Sequence, residues 1–118
     1  MSDALDVIRE FWRIQDADDY TQLVPLFSED AVLEDPIYGT VRGNQAIGAF
    51  MTKMVSEMRA RKTRFRAIEI AGAGESGWAQ WVAETPAGDI HGVGVYKTCG
   101  DKLTYYRDYM NAPAPKPS

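Results

Sequence analysis

Apolar residues at helical spacing open the chain. Leu5, Ile8, Phe11, Trp12 and Ile14 fall on one face of a helix predicted over residues 3–17, with Ser2 or Asp3 able to cap its free N–H groups. The acidic run 16–19 ends it and starts a short second helix over 20–27, followed by a turn at 28–30. A strand over 31–34 stops at Asp35-Pro36, Ile37-Tyr38-Gly39 turns, and 40–42 returns as a brief strand. Gly43-Asn44 caps a third helix over 45–58, whose Ile47, Phe50, Met51, Met54, Val55 and Met58 recur with the helical period. The texture then changes to period two, predicting strands at 65–71, 78–85, 90–98 and 103–110, with turns at 72–77, 86–89 and 99–101. Three helices followed by a four-strand antiparallel meander predict an α+β domain, helices on one face of a curved sheet. One domain spans 1–111, and the Pro/Ala tail 112–118 is expected to be flexible.

The turns suggest a register for the last three strands. With Ala87-Gly88 and Cys99-Gly100 as two-residue turns, Glu84 lies opposite His91 and His91 opposite Asp108. Three titratable groups then form a row on one face, together with Trp78, Val82, Val93 and Tyr106. The other face carries Trp81, Tyr96, Tyr105 and Tyr109 and reads as a homodimer surface, because such a patch is larger than a monomer usually exposes. A bulge in either hairpin would move a residue to the opposite face.

Composition narrows the chemistry. At 118 residues the chain is one domain, and a net charge of −4 argues against a general nucleic-acid or anionic-membrane binder. A single cysteine, Cys99, excludes a disulfide framework, and one histidine among scattered acids argues against a metal site. No apolar run approaches membrane-spanning length and the N-terminus does not read as a signal peptide, so the expected setting is a reducing cytoplasm. Asp108 stands inside an otherwise strong strand, where a carboxylate needs a partner or a purpose. The five cations between Arg59 and Arg66 read as a solvated helix end, with anion binding as the alternative. His91, taken alone, reads as readily as a hydrogen-bonded structural residue.

Three strings carry a family resemblance. Residues 25–36 (PLFSEDAVLEDP), 43–50 (GNQAIGAF) and 105–109 (YYRDY) resemble the nuclear transport factor 2-like superfamily, and within it the SnoaL-like domains. Polyketide cyclases, ketosteroid isomerases and limonene-epoxide hydrolases belong to the same superfamily. The resemblance implies a cone-shaped, strongly curved, mostly antiparallel sheet wrapped by the helices around an apolar cavity, commonly dimeric through the outer sheet. Asp35 matches the general base of the isomerases, but Phe11 stands where they place an oxyanion tyrosine, and Val93 near their second aspartate. Asp108 resembles the water-activating aspartate of the epoxide hydrolases, with Val82 and Glu84 near their arginine and second acid. The pair His91 and Asp108 resembles the acid/base pair of the cyclases.

The resulting expectation is a cofactor-independent acid/base enzyme, cyclase or isomerase-like, acting on a small hydrophobic molecule. Asp108 takes a proton, His91 donates to the developing oxyanion or orients Asp108, and Glu84 or Asp35 holds a proton in reserve. Phe11, Tyr38, Met54, Trp78, Val82, Val93 and Tyr106 would shape the cavity. The alternatives are an epoxide hydrolase in which Asp108 activates water, and a non-catalytic ligand-binding or dimerisation module in which the polar row satisfies itself.

Overall fold

A computed structural model describes residues 3–17 and 19–110; Ser2, Asn111 and the 112–118 tail lie outside the described residues. Helix α1 runs Ala4–Ala17. The Asp3 carboxylate accepts the Asp6 backbone N–H at 3.2 Å, so Asp3 caps it. Its apolar stripe, including Ile8, Phe11, Trp12 and Ile14, is buried against the sheet.

The expected second helix is shorter than its pattern. A 3₁₀ turn, Tyr20–Gln22, leads into one helical turn, α2, Leu23–Leu26. Phe27 is already extended and opens strand β1, Phe27–Asp35, because its buried ring docks opposite Leu103. The turn expected at 28–30 is therefore an irregular stretch of strand. Pairing with the last strand skips from Phe27↔Leu103 to Val32↔Tyr105 and absorbs the extra residues as a bulge. After a turn, β2 covers Gly39–Arg42 and α3 covers Asn44–Ala60. Asn44 does not cap α3; its amide donates to the Val24 carbonyl at 3.3 Å and ties α3 to α2. Beyond α3, Lys62 takes a left-handed conformation, φ 58°, that turns the chain into the sheet.

The four remaining strands are β3 (Arg64–Ala73), β4 (Ser76–Thr85), β5 (Gly88–Cys99) and β6 (Lys102–Met110). They form the predicted antiparallel meander, and β1 joins it parallel to β6, giving the order β2-β1-β6-β5-β4-β3. The six-stranded, mostly antiparallel sheet curves without closing, and the helices cover its inner face.

Both late hairpins turn one residue away from the expected positions. Thr85 pairs with Gly88, so Pro86-Ala87 form the first turn; the fixed φ of proline suits the leading central position. Cys99 pairs with Lys102, leaving Gly100-Asp101 at the second turn with Gly100 at φ 60°. A further shift between Lys97 and Thr98 follows. His91 consequently lies opposite Val82, and Asp108 opposite Gly94. The face bearing Trp81, Gly92, Gly94, Tyr96, Tyr106 and Asp108 is the inner one; that bearing His91, Val93 and Tyr109 is the outer one. Trp81 and Tyr96, expected on the dimer surface, are thus 3% and 0% exposed.

The core closes on Phe11, whose ring meets those of Trp12, Phe27, Tyr96 and Tyr106 edge-on at 5.2–6.1 Å. Tyr96 and Tyr106 stack at 4.6 Å over Gly94, where a Cβ would fall 2.7 Å from the Tyr96 hydroxyl. Only a glycine admits that pair.

Candidate active site

Asp108 is the carboxylate that the inner face retains among its rings. Strand alternation puts Tyr106 two residues away on the same side, and its hydroxyl donates to both Asp108 oxygens at 2.8 and 2.7 Å. From β4, the Trp81 indole N–H donates to Oδ1 at 3.0 Å. Burial pushes the Asp108 carboxyl from 3.8 up to about 7; the Tyr106 and Trp81 bonds pull against that rise, and the Asp35 charge adds to it. Burial and the adjacent Asp108 charge raise the Tyr106 phenol well above its ordinary value, so it stays protonated and donates. Behind it, buried Tyr96 is raised by the same two causes, and its hydroxyl accepts the Trp12 indole N–H at 3.1 Å.

A pocket of about 90 Å³ opens in front of this network. Asp108 and Asp35 supply its two carboxylates, Trp12, Trp81 and Tyr106 part of its aromatic wall, and Met51, Met54 and Met58 its adaptable side. Asp35, at the end of β1, accepts the Ile37 and Tyr38 backbone N–H groups at 2.8 and 2.9 Å, which holds the β1–β2 turn over the mouth. Tyr38 leans edge-on against Phe50 of α3 at 5.5 Å while remaining 55% exposed. A pocket of this size is smaller than the roughly 150 Å³ that admits a benzene. A larger guest needs the methionines and the Tyr38 turn to yield.

The family model for the SnoaL-like domain matches residues 8–106. The chain belongs to the SnoaL-like domain family. No curated protein matches the sequence. Among solved structures, a nuclear transport factor 2-like protein of unknown function from Mesorhizobium loti is 20% identical, with a TM-score of 0.78 over 91% of this chain and 89% of that one. One of the same kind from Cytophaga hutchinsonii is 14% identical, with a TM-score of 0.74 over 94% and 93%. An LEH-like epoxide hydrolase from M. tuberculosis is 16% identical, with a TM-score of 0.70 over 92% and 82%. At these identities the likeness establishes the fold alone.

Within this SnoaL-like pocket, Asp108, Asp35, Tyr106, Tyr38 and Met54 come together. The other residues singled out in the sequence do not join them. His91 is exposed on the outer face, in a shallow depression with Gln80, Val93 and Tyr109, because the bulge between Lys97 and Thr98 puts it on the opposite face from Asp108. Glu84 sits near the end of β4, 3.8 Å from Arg66 in an exposed ion pair. Trp78 and Val93 are outer-face residues, 38% and 37% exposed, and Val82 is buried on that same side. Phe11 is fully buried behind the pocket as a packing residue.

Trp81, Tyr96 and Trp12, which join the hydrogen-bonded network around Asp108 and Tyr106, were not among the site residues expected from the sequence. Their signal is the polar tip on a large ring, which seeks a partner when buried. Among the described residues no group of three or more His, Cys, Asp or Glu side chains could hold a metal ion. No helix among them is long and apolar enough to cross a membrane.

Proposed function

We propose that this SnoaL-like domain is an acid/base enzyme that moves a proton on a small apolar substrate without a cofactor. The observation that carries the reading is Asp108, a carboxylate at the pocket wall held by two fixed donors and pushed to about 7. A base so poised is half ionised near neutrality, where acid/base catalysis is most effective. Asp108 removes a proton from a carbon next to a carbonyl and returns it elsewhere on the same molecule, as an isomerase or cyclase requires. While Asp108 carries the proton it needs its donors less, and the Tyr106 hydroxyl is free to bond the developing oxyanion. Tyr106 thereby takes the part first assigned to His91. Asp35 supplies a second negative charge that keeps the proton on Asp108 and discourages anionic groups at that end.

The epoxide hydrolase reading draws on the same two carboxylates, with Asp108 activating water. Among the described residues no Lys or Arg lines the pocket to sit between them, which favours direct proton transfer. The test is hydrogen–deuterium exchange at the α-carbon of a panel of small ketones, followed by NMR in heavy water. Wild type should accelerate exchange, and Asp108→Asn should lose about 10²–10⁴-fold of it. An Asp108→Asn protein that exchanges as fast as wild type would remove the proposal. We also propose self-association across the outer face, where Trp78, Val93 and Tyr109 are exposed on neighbouring strands. Light scattering should give twice 13.2 kDa; a particle of that single mass at micromolar concentration counts against it.

A further inference from the structure

The catalytic pocket is rich in hydrogen-bond acceptors and short of free donors. The Tyr106 hydroxyl and the Trp81 indole are both spent on Asp108. The Trp12 indole is spent on the Tyr96 hydroxyl, and the Ile37 and Tyr38 backbone N–H groups on Asp35. What the wall leaves open is an acceptor. Both of those N–H groups go to Asp35 Oδ1, and Oδ2 has no partner among the described residues.

The charge is as one-sided as the hydrogen bonding. Among the described residues, Asp35 and Asp108 are the charged side chains of the lining, and α1, α3, β3 and β4 bring only uncharged ones to it. The Asp35 charge is felt at Asp108 and adds to its rise. A cation between them would relieve a repulsion that no described lining residue relieves. An anion would meet like charge there. A purely apolar guest would strip water from Asp35 Oδ2 and return nothing.

Around the carboxylates the walls are rings set in corners. Tyr38 of the β1–β2 turn and Phe50 of α3 meet at 71° with centroids 5.5 Å apart. Phe65 of β3 and Trp81 of β4 meet at 68° and 5.6 Å. All four border the pocket, so each pair joins two of its walls. Aromatic faces carry negative potential and attract a cation, most strongly where water is excluded.

We propose that the pocket binds a protonated aliphatic amine, its N–H groups donating to Asp35 Oδ2, its charge lying between Asp35 and Asp108 among the rings, and its carbon chain against Met51, Met54 and Met58. For catalysis this narrows the substrate to an apolar body with one ammonium head, a step that rests on the proton-transfer reading above; the binding does not.

The experiment uses the full chain and three probes of matched length, butylammonium, butan-1-ol and butanoate, titrated at neutral pH by NMR. Butylammonium should bind about tenfold more tightly than butan-1-ol, in the millimolar range expected of so small a ligand, and butanoate should bind more weakly than either. Binding should shift the Ile37 and Tyr38 amides and the Trp81 indole together. Asp35→Asn keeps an oxygen for the two backbone N–H groups and so keeps the turn. It should cut butylammonium affinity by about three- to tenfold and leave butan-1-ol unchanged. Asp108→Asn, which removes the other charge, should act in the same direction. Asp89→Asn, a charge lost from β5 outside the pocket, should keep the preference for the amine. Equal binding of butylammonium and butan-1-ol, or no binding by butylammonium, overturns the proposal. So does a preference that survives both Asp35→Asn and Asp108→Asn, or shifts that miss the three reporters, which would mean diffuse attraction to an acidic surface. Because the readout is binding, a failure here is distinct from a failure of Asp108 to catalyse exchange.

Discussion

Asp108→Asn should stabilise the protein at alkaline pH while removing the base of the proposed proton transfer. In the folded state the carboxyl sits at about 7, against 3.8 when exposed. The folded protein therefore binds the Asp108 proton more tightly than the unfolded chain does. Its contribution to stability is complete below the unfolded value, declines as pH rises, and is lost above the folded value. Between those limits the difference corresponds to about 4 kcal/mol; because solvent still reaches this partly exposed carboxylate, about 2 kcal/mol is the fitting expectation. Asparagine keeps the shape, accepts from Trp81 through its oxygen, and carries no charge to desolvate. For a domain of this length that translates into a midpoint about 10 °C above wild type at alkaline pH. The advantage should shrink toward zero as pH falls to about 4, where both side chains are neutral. Thermal and urea denaturation of both proteins across that range reads the effect directly. A variant less stable than wild type at alkaline pH, or a difference that ignores pH, would show that Asp108 is not the strained carboxylate described here.

Four further outcomes follow from the same contacts. Catalysed exchange should rise with pH and level off above about 7 as Asp108 ionises, and a profile that falls through that range would contradict the base assignment. Trp81→Phe removes a donor that holds the Asp108 carboxyl down, so its NMR titration should move upward, with about 1–3 kcal/mol of stability lost; an unchanged titration would rule out the indole as a partner. Gly92→Ala puts a Cβ 2.2 Å from the Trp81 ring, so the indole must shift, at a cost of about 1–3 kcal/mol and with an altered tryptophan emission; a silent substitution would contradict the packing. His91→Gln should leave exchange and the Asp108 titration as they are, since the imidazole is on the other side of the sheet; a loss of rate would return His91 to the mechanism.

Much of the fold was legible because its signals are local. The helical period of α1 and α3 and the alternation of β3 to β6 each depend on neighbours within a few residues. What the pattern could not show is long-range. The strand that begins at Phe27 exists because β6, more than seventy residues later, offers Leu103 as a partner, so a stretch with turn-forming Ser28, Glu29 and Asp30 is drawn into extended pairing. The parallel docking of β1 on β6 has no local signature, since no turn connects them.

At the site, the division falls along the same line. Asp108 and Tyr106 were legible as a pair because two residues along a strand share a face whatever the partner strand does. His91 was not, because its relation to Asp108 depends on the β5–β6 turn and on the bulge between Lys97 and Thr98, and that one residue of slip inverts the face. Yet β5 contains the information that decides the question. Gly92, Gly94 and Tyr96 alternate with His91, Val93 and Val95, so the two glycines share the face of the large ring. A strand gives up side chains on one face when something bulky must lie flat on its backbone, and here those bodies are Trp81 over Gly92 and the Tyr96–Tyr106 stack over Gly94. Rings in such numbers need an interior. The glycine face is therefore the inside, and His91, one residue off it, belongs outside. The spacing of residues with no side chain orients this sheet more firmly than the titratable row that looked catalytic.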